Sequence, residues 1–163
     1  GIEASVRGKA FNNHLSWMAS YGLTHAVFKE YKDSIKVDGK NVVRDYKDKK
    51  VPYIPMHTIG ADVAYRLDLS GSRLESLTFG ANISAQGRIY WDETNSYSQP
   101  FYALLGARVE GKIGNAILTL WGKNITDTKY NTFAIDSSAT GTRNCFAQRG
   151  YPVQIGFDVR LRL

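Results

Sequence analysis

Apolar and polar side chains alternate with a period of two along most of this chain. The last eleven residues, VQIGFDVRLRL, have apolar side chains at every odd position from Val153 to Leu163, with polar or small residues between them. The same alternation covers six earlier segments: 2–10, 15–27, 57–69, 77–91, 101–113 and, less regularly, 115–125. A period of two predicts strands with one apolar and one polar face. No segment favours the helical period, so the sequence predicts an all-β fold.

The connections between these segments alternate between short and long. The short ones are FNNH at 11–14, LSGSR at 69–73 and IGN at 113–115, which are rich in the residues that tight turns require. The long ones are 29–56, 92–100 and 126–152. This pattern predicts an antiparallel up-and-down meander of seven or eight long strands, with tight turns at one end and long loops at the other. Such a layout is typical of part of a transmembrane β-barrel, or of a small transmembrane β-barrel.

The charges indicate which face would meet lipid. A charge on the lipid side of a spanning strand costs about 2–4 kcal/mol at the midplane. The polar face carries Arg66, Arg108 and Arg160, so the opposite, apolar face is expected to lie against hydrocarbon. Both signs of charge occur on the polar face, so we also expect cross-strand ion pairs there. Aromatic residues near the long-loop ends predict a girdle at the headgroup level: Phe28, Tyr31, Tyr53, Tyr90, Trp91, Phe101, Tyr102, Tyr130 and Tyr151.

Half of the net charge of +6 lies in residues 29–50, which contain eight Lys/Arg and five Asp/Glu. This stretch predicts a solvated loop, with binding to anionic lipid headgroups as the second interpretation. Interspersed acids argue against nucleic acid as a partner.

Residue types give little support to an enzyme. The three histidines, His14, His25 and His57, show no metal-ligand spacing, and we expect neither a metal nor a cofactor. Asp92 and Glu93 are adjacent, hence on opposite faces of an extended chain, which is poor geometry for an acid–base pair. The single cysteine, Cys145, excludes an internal disulfide.

Two segments resemble a known family. WGKNITDTKYNTF (121–133) resembles the penultimate strand of TonB-dependent outer-membrane receptors, and FAQRGYPVQIGFDVRLRL (146–163) resembles their last loop and closing strand. The segment YWDETNSYSQPFYALLGARV (90–109) looks like a hairpin of the Bacteroidetes branch. Family members usually end in Phe or Trp, whereas this chain ends in Leu163.

The resemblance implies that residues 1–163 are a single segment, the C-terminal part of a larger receptor barrel whose plug domain is absent from the chain. The intact protein would lie in the bacterial outer membrane, in contact with its lipid and lipopolysaccharide. It would take up a scarce nutrient, such as an iron–siderophore, haem, cobalamin or a glycan, through a TonB system that acts on the plug. Open strand edges could let the isolated segment associate with a second copy.

Tyrosine, tryptophan and arginine dominate binding sites, so the expected ligand contacts in the long loops are residues of these types: Tyr46, Tyr53, Trp91, Tyr97, Tyr130 and Arg143. Packing within the loops is an equally open role for each of them. The alternative function is a self-contained small β-barrel that carries a ligand or acts as a scaffold, with its apolar residues inside.

Overall fold

The computed structural model describes residues 1–37, 39–69, 71, 73–136 and 145–162. Seven strands form one antiparallel sheet in chain order, which confirms the predicted meander. They are β1 (Ile2–Ala10), β2 (Leu15–Leu23), β5 (His57–Asp68), β6 (Ser76–Gln86), β9 (Tyr102–Ile113), β10 (Ala116–Lys123) and β13 (Gln154–Leu161). Strands β1 and β13 are the two edges of this sheet, so the described part of the chain forms an open wall.

Three short hairpins lie in the long loops. They are β3 (Lys32–Val37) with β4 (Lys40–Asp45), β7 (Ile89–Tyr90) with β8 (Ser98–Gln99), and β11 (Asn131–Asp136) with β12 (Cys145–Arg149). Each is a separate two-stranded sheet. The sequence analysis did not predict them, and none of them adds an eighth strand to the wall.

Two predicted strands end early. The alternation continues to Val27, but β2 ends at Leu23, and Val27 makes only an isolated bridge with Lys50. The segment predicted to run to Trp91 is divided, because β6 ends at Gln86 and Ile89–Tyr90 pair with Ser98–Gln99 in a separate hairpin. Strand pairing to a neighbour therefore decides these ends, and alternation alone does not report it.

One face of the wall is apolar and exposed. Phe157 is 60% exposed, Leu120 55% and Phe79 48%, and the same face continues through Val63 and Leu161. Apolar patches larger than a few hundred Å² mark surfaces that meet a partner or a membrane. Among the described residues these side chains therefore do not form a closed core, and the predicted apolar face is exposed. Its contact with lipid stays a prediction.

The other face is polar and carries the expected cross-strand ion pair. Arg108 on β9 makes two hydrogen bonds to the Asp62 carboxylate on β5, at 2.8 and 3.2 Å. The guanidinium reaches over β6 at Gly80, where a Cβ would lie 2.6 Å from the Arg108 Cζ. Glycine at this position is what lets the charges of two non-adjacent strands meet.

Trp121 also lies on the polar face, although its residue type suggests lipid. Its indole packs over Gly156, where a Cβ would lie 2.1 Å from the ring, and its Nε1–H donates to Asp158 at 2.8 Å. The ammonium of Lys123 lies 4.9 Å from the ring centroid. This pairing explains why alternation is irregular along β10.

Among the described residues, no helix has the length and apolarity needed to cross a membrane.

Candidate ligand-facing loops and polar face

The first and second long connections, 24–56 and 87–101, are joined by one asparagine side chain. Asn95, which follows β7, donates from Nδ2 to the Lys50 carbonyl at 2.9 Å and accepts from the Lys50 N–H at 2.7 Å. The side-chain amide thus makes the two hydrogen bonds to the Lys50 backbone that a neighbouring strand would make. Asn95 has a φ of 60°, a conformation that asparagine tolerates better than most residues. These two bonds fix the first loop against the second.

Asp92 shapes the tip of the same hairpin. Its buried carboxylate accepts hydrogen bonds from the N–H of Ser96 at 3.1 Å and of Tyr97 at 2.8 Å, and from the Thr94 hydroxyl. A carboxylate whose oxygens are taken by loop donors holds a turn and is poorly placed for proton transfer.

Tyr53 connects all three long loops. Its N–H donates to the Tyr90 carbonyl at 2.8 Å, and its hydroxyl donates to the Ala134 carbonyl at 3.1 Å. Its ring lies 5.5 Å from that of Trp91 and 5.8 Å from that of Phe133, centroid to centroid. Aromatic pairs at these distances add about 0.5–1.5 kcal/mol each beyond the area they bury. The loops at this end therefore pack as a connected unit.

These contacts surround a small core, which we call the loop core. Its buried members are Ile89, Trp91 and Ala134, and Tyr97 packs against them. Trp91 is 7% exposed, whereas Tyr53 is 48% exposed. Of the expected ligand contacts, the structure thus brings Tyr53, Trp91 and Tyr97 together, with Trp91 in a packing position.

Tyr46 lies in a second aromatic stack. Its ring is 5.1 Å from Tyr31, which is 5.0 Å from Phe28. Tyr46 is 7% exposed, so most of its surface is used in packing. Desolvation, followed by the nearby carboxylate of Asp33, raises the pKa of Tyr31 above the ordinary tyrosine range.

The segment NITDTKY, which we call the Asn124 turn, connects the end of β10 to the start of β13 through side-chain hydrogen bonds. The buried Asn124 donates from Nδ2 to the carbonyls of Thr128 and Tyr151, both at 3.0 Å, and accepts from the Thr128 N–H at 2.9 Å. Asp127 accepts from the Val153 N–H at 3.1 Å and pairs with the Lys129 ammonium at 2.6 Å. The motif therefore has a structural role that its sequence alone did not reveal.

Tyr130, at the end of the Asn124 turn, lies over the polar face. Its ring stacks on Tyr102 at 4.6 Å and covers Gly150, where a Cβ would lie 2.1 Å from the ring. Tyr102 in turn donates from its hydroxyl to Gln86 at 2.9 Å. Tyr130 is partly buried.

Below Tyr130 lies a cavity of about 370 Å³ on the polar face. Its lining includes the amides of Asn82 and Gln154, the Ser84 hydroxyl and the Lys123 ammonium. These groups offer neutral donors and acceptors with one positive charge. The described residues contain no group of three His, Cys, Asp or Glu side chains that could hold a metal ion.

The remaining sequence predictions have mixed outcomes. Arg143 lies outside the described residues, as does Leu163. Phe101 and Tyr151 are exposed at strand ends, as a girdle requires, but the buried Trp91 does not take part in one. Asn95 and Asn124, which organise the loops, were not predicted. An asparagine in a turn-rich segment was their only signal.

The three histidines do not lie together at one end of the sheet. His14 is at the short-turn end, where its Nδ1 lies 2.9 Å from the Arg66 carbonyl, while His25 and His57 are at the long-loop end.

Comparison with known proteins identifies the architecture. A family model described as TonB dependent receptor-like, beta-barrel, matches residues 1–125. The siderophore receptor PiuA from Acinetobacter baumannii superposes with a TM-score of 0.70 at 19% identity, over 97% of this chain and 21% of that chain. The ferric yersiniabactin uptake receptor FyuA from Yersinia pestis gives 0.68 at 19% identity, over 91% of this chain and 21% of that chain.

A third similar structure is FpvA from P. aeruginosa bound to heterologous pyoverdines, with a TM-score of 0.64 at 19% identity. The superposition covers 98% of this chain and 19% of that chain. The chain thus spans about a fifth of these receptors, and at such identity the likeness establishes the fold. The likeness to the Bacteroidetes branch stays a prediction.

Proposed function

Because the chain belongs to the β-barrel family of TonB-dependent receptors, we propose that residues 1–163 are one segment of the wall of an outer-membrane nutrient receptor. We assign the segment to the C-terminal part of the barrel, on the likeness of 121–133 and 146–163 to the closing strands of the family. The plug domain, and through it the TonB system, would belong to the rest of the receptor.

The open, two-faced sheet is the observation that carries this proposal. Seven paired strands present a continuous apolar face outward, and their polar face holds the Asp62–Arg108 pair. In a bilayer this arrangement satisfies both environments, because backbone groups pair between strands while charges stay on the water side. It also favours localisation in the bacterial outer membrane, in contact with lipid and lipopolysaccharide.

We propose an iron–siderophore complex as the first ligand class to test, followed by haem, cobalamin and glycans. The similar structures bear the names of siderophore receptors, which supports this order. Within this segment the contacts would come from Tyr53, Tyr97 and Tyr130, and from Arg143. Tyr46 and Trp91 would act by supporting the loops, because little of either is exposed.

The family and the similar structures are receptors, which points to a protein that is not an enzyme. The alternative, a small barrel that carries a ligand inside, has no support in the fold. A carrier needs a closed apolar interior, whereas the described sheet has two unpaired edges and exposes its apolar face. Those edges support a further expectation, that the isolated segment associates with a second copy.

The test is nutrient uptake in the bacterium that encodes the protein. The gene is deleted, and growth is measured with each of the four nutrient classes as the limiting source. We expect one class to fail and to be restored by the intact gene, and a strain without TonB should show the same defect. Unimpaired growth on all four classes, or recovery of the protein outside the outer-membrane fraction, would refute the proposal.

A substitution connects the uptake to the loops. Tyr130→Leu keeps an apolar side chain over Gly150 but removes the aromatic edge and hydroxyl above the cavity. Tyr65→Leu, on the exposed apolar face, is the matched control. We expect the first to weaken ligand binding several-fold and the second to leave it unchanged, as measured by equilibrium binding of the identified ligand to whole cells.

A further inference from the structure

The peptide unit that links Tyr130 to Asn131 is held by two hydrogen bonds from different parts of the chain. The carbonyl of Tyr130 accepts from the Gly150 N–H at 2.9 Å, and the Asn131 N–H donates to the side-chain Oε1 of Gln99, also at 2.9 Å. A peptide unit is planar, so bonds at its carbonyl and at its N–H together fix its orientation. The backbone that carries the Tyr130 ring is therefore held from both sides.

Gln99 can set this orientation because its own position is fixed. Its side chain is 6% exposed, and its Nε2 donates to the Pro100 carbonyl at 3.1 Å. An amide side chain that uses both its oxygen and its nitrogen in hydrogen bonds has few orientations open to it. As part of β8, Gln99 is the register partner of Ile89, which belongs to the buried loop core. The hairpin of β7 and β8 thus extends from the loop core to the peptide unit beside Tyr130.

The ring of Tyr130 is held less strictly than its backbone. It stacks on Tyr102 with the centroids 4.6 Å and the planes 18° apart, and it covers Gly150. Stacked rings attract each other over centroid separations of about 4.5–7 Å, so stacking alone leaves the ring room to slide. The backbone bonds to Gln99 and Gly150 therefore decide where the ring settles on Tyr102, and with it how the ring borders the cavity of about 370 Å³.

We propose that Gln99 is a positioning residue, which fixes Tyr130 above the cavity and couples it to the loop core. The proposal rests on the proposed function and deepens it, because Tyr130, Tyr53 and Tyr97 are the residues that would contact the nutrient. Tyr97 packs against the loop core and the Tyr53 ring lies 5.5 Å from that of Trp91, whereas Tyr130 lies over the wall. One buried amide connects these two groups, so a nutrient that displaces the hairpin also displaces Tyr130.

The first test observes Tyr130 directly and needs no ligand. The intact receptor is labelled with fluorotyrosine at residue 130 and studied in detergent by fluorine NMR. Gln99→Met keeps roughly the size of the side chain but removes the acceptor of the Asn131 N–H. We expect the signal of residue 130 to shift and broaden, while a label at Tyr65, on the wall, keeps its wild-type signal.

Gln148→Met is the matched control, because it makes the same change at an exposed position on β12, two residues before Gly150. It should leave the signal of residue 130 unchanged. A signal that does not respond to Gln99→Met would overturn the proposal. An equal response to the two glutamine variants would overturn it as well, since the effect would then not depend on the bond to Asn131.

A second measurement needs no variant and decides the question if Gln99→Met does not fold. Single-amide hydrogen exchange is measured on the wild-type receptor and corrected for intrinsic rates. The Trp91 N–H donates to the Tyr97 carbonyl at 3.0 Å within the hairpin. If Gln99 couples Asn131 to this hairpin, the Asn131 and Trp91 amides should open together and exchange within about threefold of each other. Exchange of Asn131 more than about tenfold faster than that of Trp91 would contradict the coupling.

Binding connects the position of Tyr130 to the function. The probe is a radiolabelled ferric siderophore, measured at equilibrium on whole cells. Gln99→Met should weaken its binding several-fold in the wild-type background but by less than about twofold in Tyr130→Leu, because positioning has no effect once the ring is absent. Equal losses in the two backgrounds would refute the positioning role. If the wild-type receptor takes up none of the four nutrient classes, the proposed function fails, while the fluorine signal and the exchange rates still decide the role of Gln99.

Discussion

Two adjacent leucines on β9 provide a direct test of which face meets lipid. Leu105 is 37% exposed on the apolar face, whereas Leu104, the next residue of the strand, points to the polar face. Leu105→Arg and Leu104→Arg introduce the same side chain one residue apart. We expect the first to be much more destabilising, since only its guanidinium would enter hydrocarbon.

The depth of Leu105 in the strand gives the magnitude. It lies two to three residues from the middle of Tyr102–Ile113. With a rise of about 3.4 Å per residue and a strand tilt of about 40°, it is about 6–7 Å from the midplane. That is half way to the edge of an apolar band about 25 Å tall, so the penalty of about 2–4 kcal/mol at the midplane falls to about 2 kcal/mol. Leu104→Arg should cost about 1 kcal/mol or less, even with Lys123 on the same face.

The assay is guanidinium unfolding of the intact receptor in phosphatidylcholine vesicles, followed by tryptophan fluorescence. Relative to wild type, Leu105→Arg should lower the folded-to-unfolded ratio about 30-fold, since each 1.4 kcal/mol is a factor of ten. A loss from Leu104→Arg that equals or exceeds the loss from Leu105→Arg would refute the assignment of faces, and with it the membrane-spanning wall.

Three further predictions concern the Asn124 turn, which joins β10 to β13. Asn124→Ala removes three hydrogen bonds of a buried amide and should cost about 2–3 kcal/mol, measured as faster hydrogen exchange in the loop; exchange unchanged from wild type would contradict the structural role of the motif. Gly150→Ala places a Cβ inside the Tyr130 ring and should destabilise the receptor by about 1–3 kcal/mol, and adding Tyr130→Ala should recover most of that loss if the ring is the cause. The Lys129 ammonium and then the Val153 N–H lower the pKa of Asp127, so the stabilisation from this carboxylate is complete above the ordinary aspartate pKa and is lost as the pH falls through the lowered value; the Val153 amide should exchange faster there in wild type but not in Asp127→Asn.

The wall was predictable from sequence because its strands meet only two environments. Each strand residue faces either the apolar side or the polar side, so residue type alone reports its direction. Trp121 shows where this simple rule stops. Its indole N–H finds the Asp158 carboxylate and its ring finds Gly156 on the polar face, and neither partner can be identified from alternation within β10.

The conformation of the loops, by contrast, could not be predicted from the sequence. Their conformation depends on single long-range contacts, such as the Asn95 amide on the Lys50 backbone or the Tyr53 hydroxyl on the Ala134 carbonyl. Partners separated by 45 and 81 residues leave no periodic signal. Residue type therefore could not separate Trp91, which packs inside the loops, from Tyr53, which keeps half of its surface exposed.

The location of the buried residues explains why the strands could be predicted from the sequence and the loops could not. A wall with lipid on one side and water on the other needs no core of its own, and its stability comes from strand pairing and from side chains that match their environment. Of the described residues, the two buried aromatic side chains, Trp91 and Tyr46, lie in the loops instead, as does the buried amide of Asn124. Substitutions that respect polarity should consequently be tolerated in the strands, while equally small changes in these loop contacts should shift the position of Tyr53 and Tyr130. Because those two residues are proposed to meet the ligand, the packing of the loops would determine which ligand is bound, independently of the wall that carries them.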